Sequence, residues 1–292
     1  MKKLFTAVAA AALCAAMAFS LTACGSTAKA EVLEIDLSQE YYGIAVKKGD
    51  AQMKEAVDGV LNKLNGDGVT VDGKTVTFNS IYTDEMSAQD NEQLISIGDV
   101  KTKSTNRANE LVVATNAEFA PFEYIVGESF GGIDMQVAKI IAKELNKELV
   151  ILHMDFDVVL SSVGTTADIG MAGLTINDER KQTVDFSVPY YETTQRIAIL
   201  EGDADFAECK TEQDVINVLK SLKDAKAGAA TAQTGYYYLT GNESFEFEGF
   251  PDLKVSPYPS IALAVQELVN GNLKLVCGDK DTVSAAVKAI NK

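Results

Sequence analysis

Beyond residue 110, short apolar runs alternate with longer stretches whose apolar positions recur every three or four residues. "LVVAT" (111–115) reads as a strand, and "DMQVAKIIAKELN" puts Val137, Ala138, Ile141, Ala142 and Leu145 on one helical face. "LVILHM" predicts another strand, "DVVLSSV" a short helical turn and "IGMAGL" a strand, and the apolar "RIAIL" (196–200) follows a Pro-Tyr-Tyr turn. A second set begins there, with a helix over 211–223, a strand near 227–231 and a helix near 235–240. It continues with strand "LKVSPY", helix "IALAVQELVNG", strand "LKLVCG" and helix "TVSAAVKAI". Alternation of this kind predicts α/β lobes with mostly parallel sheets, and two sets predict two lobes.

The front of the chain carries a strand and a helix that belong to neither set. In "EYYGIAVKKGDAQMKEAVDGVLNKL" (40–64), Tyr42, Ile44 and Val46 share one face of an extended run. Asp50 fits an N-cap, and Met53, Ala56, Val57, Val60, Leu61 and Leu64 form an apolar helical stripe. A strand needs neighbours and this helix needs a sheet, yet little precedes them. Next, "VTVDGKTVTF" alternates about an Asp-Gly pair and predicts a hairpin. The rest of 69–109 is polar and weakly periodic, which predicts a connection between larger parts.

Composition narrows the partners. Among 292 residues, 26 Lys+Arg stand against 42 Asp+Glu, a net charge of −16. That balance argues against nucleic acid, whose binding needs cationic side chains against phosphate, and against a polybasic grip on anionic lipid. A solvated acidic surface accounts for most of it. The start, "MKKLFTAVAAAALCAAMAFSLTACGS", has a basic n-region and an apolar h-region, as a secretory signal does. Residues 4–20 fall short of the roughly 20 apolar residues of a membrane span. Leu21-Thr22-Ala23-Cys24 resembles the bacterial lipoprotein signal, in which the cysteine becomes the lipid-modified first residue. Losing Lys2 and Lys3 with the signal makes the mature charge 24 − 42 = −18. Cys209 and Cys277 then remain, either as one disulfide or as two buried thiols. The single histidine, His153, ends a strand-like run and reads as a packed or edge residue rather than a ligand. No Cys/His spacing suggests a metal.

From "LVVATNAEFAPFEY" onward the chain resembles the extracellular solute-binding proteins of amino-acid ABC importers. The likeness runs through "GGIDMQVAKIIAKELN", "MDF", "AGLTINDERKQTVDFSVPYYET" and "TAQTGYYYL" to "ELVNGNLKLVCGD", covering about 110–292. The resemblance implies a two-lobed α/β fold of the type II periplasmic-binding-protein kind, with a hinge and an inter-lobe cleft. In that family the last helix runs on into a strand, then "YGIAVKKG" and a C-terminal helix, which here stand at 32–64. The resemblance therefore implies a circular permutation. Residues 1–23 are the signal and 24–30 the lipidated tether. Residues 42–72 with 110–195 form the first lobe, 31–41 with 196–292 the second, and 73–109 a linker joining the family's old termini.

A free amino acid is a zwitterion, so its site needs opposite charges a fixed distance apart. Arg180 in "NDER" suits the carboxylate, because a guanidinium fork meets two oxygens at once, and Asp279 in "VCGD" suits the ammonium group. The family uses matching positions for those roles. Gly173 and Thr175 match positions that complete the shell, and Thr234 matches a backbone N–H that meets the carboxylate. The family usually has glycine where Ala232 stands. Phe119 and Phe156 each read alone as core, and by resemblance they sandwich the ligand side chain. Asn116 replaces the aspartate common in cation-binding relatives, which points to a neutral polar amino acid such as glutamine. The implied mechanism is closure about hinge strands near 195–200 and 40–44, followed by delivery to an ABC permease. The resemblance implies no cofactor and no metal, a monomer, and a lipid anchor at Cys24 on the extracytoplasmic face of the cell membrane. The rivals are a periplasmic-type dehydratase on the same fold, which needs a cleft acid or base, and a ligand-sensing or adhesive lipoprotein.

Overall fold

The computed structural model describes residues 28–91 and 93–292. The signal segment, Cys24 and the first residues of the tether lie outside the described residues. The first of two five-stranded sheets has the order Glu148–His153, Glu110–Thr115, Ile169–Gly170, Ala45–Lys47, Val184–Phe186. Its first three strands are parallel, and Ala45–Lys47 runs antiparallel to both neighbours. Every residue of Glu110–Thr115 is buried, as expected of a strand covered on both faces. Of "IGMAGL", only Ile169–Gly170 pairs as a strand; the chain then leaves the sheet towards the cleft.

The strand and helix at the front of the chain thus supply an interior strand and a covering helix to this sheet. The helix Ala51–Asn65 starts at Asp50, whose carboxylate accepts from the Met53 N–H at 3.0 Å, and it buries Val57, Val60, Leu61 and Leu64. The extended run before it is two strands rather than one. Glu40–Tyr42 pairs with Tyr191–Thr193 in a two-stranded ribbon between the lobes, and Ala45–Lys47 enters the sheet. The break falls at Gly43, where a Cβ would lie 2.7 Å from Ile176 Cδ1, so a larger residue would have to displace the Ile176 side chain. The second crossing between lobes is accordingly at Tyr191–Thr193, and Gln195–Leu200 is already a strand of the second sheet.

That second sheet has the order Ala30–Val32, Gln195–Leu200, Leu275–Asp279, Lys226–Ala230, Lys254–Tyr258, with the last three parallel. The end of the final helix meets the start of the first strand. The Asn291 side chain donates to Ala30 O at 2.7 Å and accepts from Ala30 N at 3.0 Å. Cys277 is buried in this core, Cys209 sits half-buried at its margin, and both are free thiols.

The connecting segment holds more structure than its sequence pattern suggests. The hairpin Val69–Val71 with Lys74–Val76 forms about Asp72 and Gly73, both at positive φ (51° and 80°). A helix then spans Phe78–Asn91 and buries Phe78, Ile81, Glu85 and Ala88. Those four positions have helical spacing, but the charge of Glu85 hides the stripe. Glu85 is tolerated because it accepts from Tyr124 OH at 2.8 Å and from the Gln136 amide. This helix packs on lobe 1 and touches lobe 2, where Asp90 pairs with Lys288 and Tyr82 OH reaches Asp281 at 3.4 Å.

Leu61 is fully buried in the lobe 1 core. Leu61→Ala is expected to cost about 2–5 kcal/mol in urea unfolding. A loss below about 1 kcal/mol would mean that the front helix is dispensable to that core.

Candidate functional site

The carboxyl ends of the parallel strands of both sheets converge on the seam between the lobes, where ligands bind in open α/β sheets. A tight cavity of about 10 Å³ lies there, lined by Phe119, Phe156, Gly173, Thr175, Arg180, Thr234 and Asp279, together with Ala172 and Gln233. Seven of the eight residues expected from sequence thus meet in one place. The eighth, Asn116, follows the strand Glu110–Thr115 but does not line the cavity. Its Nδ2 donates to Met154 O at 2.9 Å and its buried Oδ1 has no protein partner. His153 lies outside the cavity, its Nδ1 accepting from Ala117 N at 3.1 Å.

Arg180 is buried, and no carboxylate lies within ion-pair distance of it among the described residues. Its Nη1 donates to Thr175 O at 2.8 Å and its Nη2 faces Ala232 O at 3.5 Å. The Phe156 and Phe245 rings cover the guanidinium, at 5.5 and 5.6 Å from Cζ to centroid. A buried guanidinium held only by carbonyls retains an unmatched charge.

Asp279, from lobe 2, ends the strand Leu275–Asp279 and accepts from Tyr42 OH at 2.6 Å. Burial, and after it the charge of Glu40, raises the Asp279 carboxyl from 3.8 to about 7; its hydrogen bonds pull the other way. Glu40 stands behind Thr175. It accepts from Thr175 Oγ1 at 3.0 Å, Gln195 Nε2 at 3.0 Å and Ser38 Oγ at 2.7 Å. Because the Thr175 hydroxyl has one proton and gives it to Glu40, Thr234 must be the donor in the 3.0 Å contact between the two threonines. That contact joins lobe 1 to lobe 2.

Sequence reasoning missed Glu40, Tyr42 and Phe245. For the first two a signal existed, since positions 40 and 42 share one face of an extended run and both are buried. Behind Gly173 lies a second buried polar group. Asp134 accepts from Gly173 N at 3.1 Å and from Tyr190 OH at 2.8 Å, and burial raises its carboxyl to about 6. This fixes Gly173 at φ 54°, with a Cβ position 2.6 Å from the Phe119 ring.

Residues 111–292 match the model of the bacterial extracellular solute-binding proteins, family 3. The chain belongs to this family. The probable histidine-binding protein of Neisseria gonorrhoeae is 31% identical to this solute-binding protein over 192 residues, 65% of this chain and 66% of the relative. The arginine-binding extracellular protein ArtP of Bacillus subtilis is 29% identical over 143 residues, 49% of this chain and 51% of that one. This chain thus spans about two thirds of the first relative and half of the second. Cyclohexadienyl dehydratase of Pseudomonas aeruginosa is 25% identical over 171 residues, 58% of this chain and 59% of that one. Among solved structures, the ancestral amino acid-binding protein AncCDT-1, a precursor of cyclohexadienyl dehydratase, aligns with TM-score 0.54 and 26% identity over 63% of this chain and 76% of that one.

The solute-binding protein forms the turn before Thr234 with Ala232 at φ 58°, a left-handed conformation that costs a side-chain-bearing residue roughly 1–2 kcal/mol. Glycine relieves that strain but loses more entropy on folding. Ala232→Gly is therefore expected to stabilise the protein by about 0.5–1 kcal/mol, read as a raised melting temperature. Destabilisation would show that the Ala232 methyl contributes more by packing than it costs in strain.

Proposed function

We propose that the protein binds a free amino acid in this cavity, with Arg180 on the α-carboxylate and Asp279 on the ammonium group. The observation carrying this reading is the pair of buried opposite charges, one per lobe, lining one cavity without an ion-pair contact to any side chain among the described residues. A zwitterion answers both at once. Because its ends touch different lobes, it favours the closed arrangement by its differential affinity for that form. Phe119 and Phe156 flank the side chain, with Gly173, Thr175 and Thr234 completing the shell.

The neutral Asn116, standing where cation-binding relatives often carry aspartate, keeps glutamine as the proposed ligand, and it acts from behind the cavity lining, its Nδ2 donating to Met154 O. Relatives named for histidine and arginine favour a cationic ligand as the alternative. The same reading includes an extracytoplasmic position, a lipid anchor at Cys24, a monomeric state and delivery to an ABC permease. No helix among the described residues is long and apolar enough to cross a membrane. It also takes the chain as circularly permuted. Support comes from a family match confined to 111–292, from front strands that complete both sheets, and from the Asn291–Ala30 hydrogen bonds.

A thermal-shift panel of L-amino acids tests the assignment, since ligand at 100 times its Kd adds about 2.7 kcal/mol of stability. Arg180→Ala and Asp279→Ala are each expected to weaken binding by roughly 2–5 kcal/mol. Wild-type affinity in Arg180→Ala would remove the carboxylate assignment.

Binding should also depend on pH. The ammonium group requires Asp279 as carboxylate, whereas burial holds its carboxyl at about 7. Affinity is expected to be level above that value and to fall as pH drops below it, approaching about tenfold per pH unit. Calorimetry in buffers of different ionisation enthalpy should register proton release near neutrality. Affinity unchanged between about pH 5 and pH 8 would dissociate Asp279 from the ammonium.

A carboxyl near neutrality also suits a general acid or base, and this favours the dehydratase as second reading. Turnover of an arogenate- or prephenate-like substrate, followed by chromatography of the product, would establish it.

A further inference from the structure

Arg180 is enclosed from both lobes, but the two rings over it are differently placed. Phe156 belongs to lobe 1, as Arg180 does. Phe245 comes from lobe 2, at the end of the short turn Glu243–Phe245, so it meets the guanidinium only across the seam. Its ring is the middle of a stack, with Tyr237 at 5.4 Å and Phe247 at 5.6 Å between centroids. The turn is pinned. Asn242 Oδ1 accepts from Ser244 N at 2.8 Å, and the backbones of Asn242 and Phe247 exchange hydrogen bonds of 2.9 and 3.0 Å.

On the far side of Phe245 lies a groove of about 590 Å³ between the lobes, lined by Tyr41, Ile176, Lys181, Lys220, Phe245 and Phe247 among others, with Glu212, Glu246 and Glu248 at its acidic margin. Arg180 lines the small cavity and not the groove, Phe245 lines the groove and not the cavity, and Thr175 lines both. The two spaces are neighbours, separated at the guanidinium end by one half-buried ring.

We propose that Phe245 is a specificity gate at the carboxylate end of the site. It closes the guanidinium against the groove, so that the cavity accepts a free amino acid and rejects one whose carboxyl is extended as a peptide. The proposal rests on Arg180 receiving the α-carboxylate. Two effects act together. The ring keeps water from one face of the fork, which strengthens its pairing with a carboxylate. The ring also occupies the path that a peptide bond would follow, beyond which the groove has room for a further residue.

The test is calorimetry on the full chain with L-glutamine, L-arginine and L-histidine, and with glutaminyl-glycine, arginyl-glycine and histidyl-glycine. These dipeptides keep the ammonium group and side chain and extend only the carboxyl end. Wild type is expected to prefer the free amino acid by at least about a hundredfold. In Phe245→Ala that preference should fall by about tenfold or more, through gained dipeptide binding as well as weaker binding of the free amino acid. Phe247→Ala removes a ring of the same stack that does not touch Arg180, and should keep the wild-type preference. Wild-type melting temperatures in both variants exclude a folding defect. A preference in Phe245→Ala within about threefold of wild type overturns the gate and leaves the proposed function standing. A wild type that binds dipeptide as tightly as free amino acid also overturns it. Binding of none of the six compounds removes the proposed function and the gate together.

Discussion

A buried guanidinium on one lobe and a buried carboxylate on the other, neither engaged in an ion pair, set the terms for everything at the seam. Taking such charges out of water costs several kcal/mol apiece unless they are compensated. Within lobe 1, the Arg180 guanidinium meets one carbonyl oxygen, of Thr175, and one aromatic face, of Phe156. On lobe 2, Asp279 receives one phenol proton, from Tyr42 of the crossing strand. Glu40 adds a second buried carboxylate and is neutralised by no cation, only by three donors. The seam therefore carries an excess of negative charge, which a zwitterion leaves unchanged in sum while setting its ammonium group against the acidic side and its carboxylate against Arg180.

The fold makes this arrangement by routing one short strand through the seam. Glu40 and Tyr42 lie in the ribbon that joins the lobes, so the crossing and the site share residues. Tyr42 reaches Asp279 of lobe 2, and Glu40 accepts from Thr175 of lobe 1 and Gln195 of lobe 2, so the ribbon ties both lobes to the polar groups of the site. On another part of the seam, the helix Phe78–Asn91 meets the final helix through Asp90 and Lys288, and Tyr82 stacks on Tyr191 at 5.6 Å. Contacts made only when the lobes meet add to closure whatever their origin in the chain.

Local pattern was sufficient wherever a segment buried one face against a sheet. The helix Ile133–Glu144, the strand Glu110–Thr115 and the cap at Asp50 fall where spacing predicts, because periodicity and capping are local properties. It failed where partners are remote. The helix Phe78–Asn91 escaped because its buried stripe includes Glu85, acceptable only beside Tyr124 and Gln136. The run at 40–47 divides between two sheets because its pairing partners, Tyr191–Thr193 on one side and Ile169–Gly170 with Val184–Phe186 on the other, are remote in the chain.

The sequence by itself determined the alternating α/β elements, the family and seven of the nine residues that line the cavity, since each depends on residue type within a short window. Only the tertiary structure decided that Asn116 stands behind the lining, that Glu40 and Tyr42 form the polar backing of the site, and that Phe245 covers Arg180. It likewise decided that Asn291 and Ala30 are neighbours. These are pairings between segments far apart in the chain, and their energies come from burial and charge that exist only once the lobes are assembled.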